Sequence, residues 1–137
     1  MRVCLDTSVL IAAFATRGLC ADVLRTVLAE HELIIGDVIL EEFRDVLKRK
    51  FRLPPQQISA ALAVAAGVAS VPRPVKPSPL KIRDEADRWI LATALDGKAA
   101  VLVTGDADLL AVHDRAPIAT MDPRAFWELL RRGTTRA

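Results

Sequence analysis

Four acidic residues, Asp6, Glu42, Asp87 and Asp106, stand where an α/β chain places its ligands. Asp6 follows the apolar run Val3-Cys4-Leu5, and Asp106 follows Ala99 to Val103 through Thr104-Gly105. In open parallel sheets ligands bind beyond the carboxyl ends of the strands, where both acids fall. Glu42 has Val38 and Val46 four residues to either side, so it borders an apolar helical stripe. Its neighbour Glu41 shares a face with Arg44, Asp45 and Lys48, an ordinary solvent-side charge pattern. Asp87 is followed by Ile90, Leu91 and Ala94 at three, four and seven residues, the buried side of a helix. A carboxylate on such a face is costly unless it is paired or metal-bound.

Taken singly, each acid has a structural reading. Asp6 and Asp106 could cap the helices that follow them, with Asp108 sharing the second turn. Asp84 is the better cap of its helix, and Asp87, near the third helical position, would gain from free amides and the helix dipole. Taken together they ask for more, because Asn caps as well as Asp and yet every position carries a true carboxylate. Clustered carboxylates repel and raise one another's pKa, and a divalent cation relieves the repulsion. An all-oxygen site suits Mg²⁺ or Mn²⁺ better than Zn²⁺. His31 and His113 are isolated and lack zinc-type spacing.

Alternating strands and helices must carry these acids. Val3-Cys4-Leu5 predicts a strand ending at the cap-forming types Asp6-Thr7-Ser8. Helices follow over Val9 to Phe14 and over Ala21 to Ala29, the second with Leu24, Val27 and Leu28 at helical spacing. Leu33-Ile34-Ile35 predicts a strand ended by Gly36, and Asp37 can cap a helix with Ile39, Phe43, Val46 and Leu47 as core stripe. Pro54-Pro55 opens a helix from Gln56 to Ala69, with Ile58, Leu62 and Ala65 inward. Ser70 to Pro79 holds Pro72, Pro74, Pro77 and Pro79, so its start can serve only as an edge strand. A helix begins at Arg83-Asp84-Glu85 and runs to Leu95, closed by Asp96-Gly97. Ala99 to Val103 is the clearest central strand, Leu109, Leu110 and Val112 share a short helical turn, and Pro117 to Thr120 gives a fifth strand. Asp122-Pro123 opens the last helix, anchored by Phe126, Leu129 and Leu130. This alternation argues for a parallel sheet covered on both faces, in a single domain over residues 1–132 with a flexible tail over 133–137.

Composition agrees. A chain of 137 residues with 52% hydrophobic and 26% charged residues is globular and large enough to stand without disulfides. No stretch approaches the roughly 20 apolar residues of a membrane span, and no charged leader or long apolar segment precedes the first strand. Cys4 and Cys20 offer at most one bridge, so a cytoplasmic protein with reduced thiols is expected. A net charge of +2 is too slight to announce a nucleic-acid binder. The basic run Lys48-Arg49-Lys50-Phe51-Arg52, and Arg131, Arg132 and Arg136 near the end, are the kind of clusters that most often mark solvated helix ends. Aromatic residues at 4%, with no tyrosine, argue against a base-stacking platform.

The segments Leu5-Asp6-Thr7-Ser8, Glu42, Asp84-Glu85-Ala86-Asp87 with Ile90-Leu91-Ala92, and Val103-Thr104-Gly105-Asp106-Ala107-Asp108-Leu109 share order and spacing with a known family. The chain resembles the PIN-domain nucleases over essentially its whole length, most closely the single-domain bacterial VapC-like toxin components of toxin–antitoxin modules. The resemblance implies a three-layer α/β/α fold around a parallel sheet of about five strands, and a metal-dependent endoribonuclease. It carries over Asp6, Glu42, Asp87 and Asp106 as the acidic quartet, with Thr7, Ser8 and Thr104 as polar support. Ser8 stands where many members have Asn, Asp108 competes with Asp106 for the fourth acid, and Asp84 contributes through water or merely caps. A small antitoxin that masks the site with an Arg or Lys, and a homodimer, are further implications.

With only two scattered histidines, attack by the RNA 2′-hydroxyl lacks its usual acid and base, and metal-assisted hydrolysis fits better. Asp6 and Asp106 are then the principal metal ligands, Asp87 a ligand or water-positioner, and Glu42 a more distant support or second-metal ligand. Arg17, Lys48, Lys50, Arg52, Arg83 and Arg88 are the candidate RNA contacts around an acidic pocket. A dehalogenase-type phosphatase needs a second acid at position 8, which is Ser, and a receiver domain needs an early acid pair, which is missing. The remaining rival is a PIN-like module that binds RNA or a partner with little catalysis.

Overall fold

Three apolar residues in succession, Val3, Cys4 and Leu5, make β1 (Arg2–Leu5) a strand buried on both faces. In the computed structural model, which describes residues 1–66 and 69–134, β1 is the middle of the sheet. Two helices follow, α1 (Thr7–Ala15) and α2 (Leu19–Glu30), before β2 (Glu32–Gly36). Then come α3 (Asp37–Arg49), α4 (Pro55–Ala66), β3 (Ala69–Val71), α5 (Glu85–Asp96) and β4 (Val101–Val103). The short α6 (Ala107–Leu110), β5 (Ala119–Met121) and α7 (Pro123–Thr134) complete the described elements. The described strands form one five-stranded sheet in the order β3-β2-β1-β4-β5, with every pairing parallel.

That order dictates the layers. The chain moves outward from β1 through β2 to β3, then crosses back to β4 and β5. With right-handed crossovers the reversal puts α5 on the face opposite α1 to α4. Helices α1, α2 and α3 pack side by side, α4 leans on α3, and α7 returns against α2, while α5 lies on β2 and β4. The result is the expected α/β/α sandwich, its core filled by Leu5, Leu10, Leu33, Ile34, Ile35, Ile39, Phe43, Leu91, Leu102 and Phe126. The reversal also creates a switch point between β1 and β4, the crevice where a doubly wound sheet binds ligands. Among the described residues no single helix is long and apolar enough to cross a membrane.

Several boundaries shift for physical reasons. Helix α4 stops at Ala66, short of the expected Ala69, because Ala69 to Val71 pair with Ile34 to Gly36 as the edge strand that the prolines allowed. The inward placement of Ala65 lies outside the described side chains. Asp37 does not cap α3: Gly36 holds the cap position without a side-chain bond, and Asp37 is exposed in the first turn. Leu28, counted with its stripe, is exposed. Val46 is only half-buried beside the buried Ile39, Phe43 and Leu47. The fifth strand is Ala119–Met121 rather than Pro117 to Thr120, set by the pairing of Val101 with Ala119. Gly133 and Thr134 belong to α7, so the expected tail is shorter at its start, and residues 135–137 lie outside the description.

Two glycines let α5 approach the sheet. After α5, Lys98 and not Gly97 takes the left-handed conformation, with φ 56°. Gly97 is there for space, because a Cβ would collide with the Ile34 and Val71 side chains. At the end of β2, a Cβ on Gly36 would meet the Thr93 methyl of α5 and come within 3.0 Å of the Val71 carbonyl oxygen. Forcing an extra carbon into such a contact typically costs about 1–3 kcal/mol. Gly36→Ala should therefore lower the urea-unfolding free energy by that amount, and an unchanged midpoint would show that α5 is free to shift.

Candidate active site

Asp6 ends β1 and begins α1. Its amide donates to the Val103 carbonyl at 3.0 Å, which extends the β1–β4 ladder and fixes the residue against the next strand. Its carboxylate does two jobs. Oδ1 accepts from the Thr7 amide at 2.6 Å as the α1 cap, and Oδ2 accepts from the Thr104 hydroxyl at 2.7 Å. The same hydroxyl oxygen accepts from the Asp106 amide at 3.0 Å, so its proton is committed to Asp6. Thr104 thus links the two strand-end acids through a bond of fixed polarity. Ser8 Oγ accepts from the Gly105 amide at 3.3 Å, tying the start of α1 to the β4 loop. The Thr7 hydroxyl is buried without a partner among the described residues.

Asp106 caps α6, its Oδ1 accepting from the amides of Asp108 at 2.8 Å and Leu109 at 3.3 Å. Asp84 caps α5, accepting from the Ala86 amide at 3.0 Å, and this turn presents Asp87 inward, only 5% exposed. Asp84, Asp87 and Asp108 offer oxygens all within 4.8 Å of one another. The charge of Asp106 also bears on Asp87. Of the two acids after β4, Asp108 lies close to Asp84 and Asp87, and Asp106 acts on Asp87 through its charge. Glu42, on α3 and more open to solvent, lies in the field of Asp6, Asp84 and Asp106. The capping readings hold for Asp6, Asp84 and Asp106, which cap α1, α5 and α6.

The basic candidates are placed less favourably. Arg17 follows α1, roughly 14 Å along the helix from Asp6 at 1.5 Å per residue. Lys48, Lys50 and Arg52 lie at or beyond the far end of α3, at least about 9 Å along its axis from Glu42. Arg88 is held in the fold, donating to both Glu85 oxygens at 2.9 and 3.0 Å and to the Ser78 carbonyl at 2.8 Å. Arg83, next to Asp84, and Arg88, next to Asp87, are the candidates adjacent in sequence to an acid of the cluster, and of the two Arg83 is the exposed one. Sequence reasoning missed Arg73, which reaches Glu41 at 2.6 Å and stacks over Trp89. It also took Glu41 as an ordinary surface acid, because the Arg73 partner is 32 residues away and invisible to helical periodicity.

Confinement shows in the protonation equilibria. Burial first, then the charges of Asp106 and Asp84, push the Asp87 carboxyl up to about 8. Asp6 is raised chiefly by burial, opposed by the bonds it accepts from Thr104 and Thr7. Glu42 is raised by partial burial and by Asp6. Asp87 Oδ2 is buried with no hydrogen-bond partner among the described residues. An all-carboxylate set with such an orphaned oxygen fits a hard divalent cation. A raised acid binds its proton more tightly folded than unfolded, so its contribution is complete below the unfolded value and is lost as pH rises through about 8. Metal-free protein should lose stability over that window. Asp87→Asn should flatten the loss and raise stability near pH 8 by about 1–2 kcal/mol, measured by urea unfolding in EDTA. A variant less stable than wild type at that pH would contradict this picture.

Residues 2–108 match the family model described as PIN domain. Among curated protein sequences none matches significantly. Three solved structures share the fold at low identity. VapBC2 from Rickettsia felis, bound to a DNA fragment from its promoter, gives a TM-score of 0.62 at 16% identity, over 89% of this chain and 98% of that one. VapBC-1 from nontypeable Haemophilus influenzae gives 0.59 at 18%, over 90% and 99%. FitAcB from Neisseria gonorrhoeae gives 0.56 at 18%, over 88% and 97%. With its acids at the β1–β4 switch point and the family model spanning most of its length, this chain belongs to the PIN-domain family.

Proposed function

We propose that this chain is a divalent-metal-dependent endoribonuclease of the cytoplasm and the toxin of a toxin–antitoxin pair. The observation that carries the reading is the meeting of Asp84, Asp87 and Asp108, whose oxygens lie within 4.8 Å of one another, with Asp6 and Asp106 joined through Thr104 and one buried Asp87 oxygen left without a donor among the described residues. Asp6, Asp87 and Asp106 would hold Mg²⁺ or Mn²⁺, with Asp84, Asp108 and Glu42 around them. The chemistry such an ion supplies when bound is a water of lowered pKa and neutralisation of charge on the phosphate. The chain's own residues do the positioning. Thr104 aims its proton at Asp6, holding that carboxylate in one orientation. The α1 cap, together with the Ser8–Gly105 bond, keeps the acids after β1 and β4 in register. Arg83 is the best-placed cation to meet the backbone of an incoming strand.

VapBC2 and VapBC-1, whose fold this chain shares, support a protein partner. An arginine or lysine of that partner, set among the acids, would silence the site by the same charge relief that a metal provides. The resemblance to VapC-like toxins supports a homodimer as the working assembly.

Mn²⁺-dependent cleavage of single-stranded RNA should leave 5′-phosphate and 3′-hydroxyl ends and stop in excess EDTA. Asp6→Asn and Asp106→Asn should each lower kcat/KM by about 100-fold or more. Cyclic 2′,3′-phosphate ends or full activity in EDTA would overturn the mechanism. Equal, negligible activity in wild type and Asp6→Asn would instead favour a binding module. Expression of wild type, but not of Asp6→Asn, should arrest growth, and no arrest would count against the toxin role while leaving the nuclease standing.

A further inference from the structure

A cluster of acids repels the strand it must cut, so cations at its rim have to hold the RNA backbone. Two arginines near the start of α5 are already committed, Arg73 to Glu41 and the Trp89 ring, and Arg88 to Glu85 and the Ser78 carbonyl. Lys81 and Arg83 are not. Both are exposed, and neither has an ion-pair partner among the described residues. Between them Ile82, 7% exposed, is anchored in the core. Out, in and out along three residues leaves both cations on the solvent side just ahead of Asp84. Chain geometry keeps their Cα atoms within about 4 Å (Arg83) and about 11 Å (Lys81) of that of Asp84. Asp84 in turn offers an oxygen within 4.8 Å of those of Asp87 and Asp108, so the two cations stand at the rim of the cluster.

The connection that carries them, from the carboxyl end of β3 to the start of α5, is fastened along its length. Pro72, Pro74, Pro77 and Pro79 fix φ at four of its positions, and Pro74 and Ser78 are buried. The Ser78 amide donates to the Arg88 carbonyl at 3.0 Å, and Arg88 Nε donates back to the Ser78 carbonyl at 2.8 Å. Ser78 Oγ accepts from the Leu80 amide at 3.3 Å, which turns the chain toward Ile82. A pair of cations preset in this way meets an anion without the ordering cost of a mobile loop. We infer that Lys81 and Arg83 form a clamp for the RNA backbone, holding a phosphate that neighbours the scissile one. This rests on the ribonuclease reading above and adds to it the residues that hold the substrate. Contacts to phosphates position a strand without reading its bases, so the clamp serves any single-stranded RNA. Lys81 stood outside the sequence candidates because a lone lysine in a proline-rich connection has no periodicity to mark it.

Fluorescein-labelled uridine and adenosine decanucleotides, titrated in Ca²⁺ between about 50 and 200 mM KCl and followed by anisotropy, test the clamp. Lys81→Gln and Arg83→Gln should each weaken binding about fivefold and lower the salt slope by about 0.7, equally for both RNAs. Arg83→Lys should keep the wild-type slope. Lys98→Gln removes the same charge beyond the other end of α5, about 18 Å away along the helix, and should change neither quantity. In Mn²⁺ the Lys81→Gln and Arg83→Gln variants should raise KM about fivefold with kcat nearly unchanged. Wild-type slopes in both of these variants, or an equal loss in Lys98→Gln, would overturn the clamp and leave the nuclease intact. Wild-type protein that neither binds nor cuts either RNA would overturn both.

Discussion

Packing several like charges into one crevice is the constraint from which the rest of the structure follows. Burial raises Asp87 to about 8 and lifts Asp6 and Glu42 as well, so the folded chain bears an electrostatic cost at neutral pH. The fold offsets part of that cost with its own dipoles. Helices α1 and α5 both begin at the cluster, and their free amides bond Asp6 and Asp84. The β4 loop adds the amides of Asp108 and Leu109 on Asp106. What backbone amides leave uncompensated is concentrated on Asp87, whose second oxygen has no donor. That residual is what suits the cluster to a hard cation beyond its role as a set of caps.

Sheet order and helix packing serve this geometry. Because β1 pairs with β4, two strand-end acids 100 positions apart in sequence meet through Thr104. Because Gly36 and Gly97 carry no side chain, α5 seats directly on β2 and brings Asp84 and Asp87 to the same place. Stability and function pull in opposite directions here: the acids that burden the metal-free fold are those a hard cation would use.

Much of this was legible from residue order. Buried strands announced themselves as the unbroken runs Val3-Cys4-Leu5, Leu33-Ile34-Ile35 and Ala99 to Val103, and the acids after the first and last were placed beyond strand ends correctly. Asp87 was readable because Ile90, Leu91 and Ala94 mark the buried face of its helix. Other features depend on partners that no local pattern encodes. The register of β5, the exposure of Leu28 and the Glu41–Arg73 pair are set by tertiary neighbours. Capping arguments failed at Asp37 because Gly36, needed for close packing against Thr93 and Val71, occupies the cap position. Basic residues were the least legible, since a Lys or Arg run reports exposure and says little about which end of a helix faces the site.

A calorimetric titration with Mn²⁺, in two buffers of different ionisation heat, tests the central claim most directly. If the clustered carboxylates hold the ion, binding near pH 6.5 must displace about one proton from the site, and binding near pH 9 must displace almost none. Absence of Mn²⁺ binding, or binding at the lower pH with no proton released, would contradict the account.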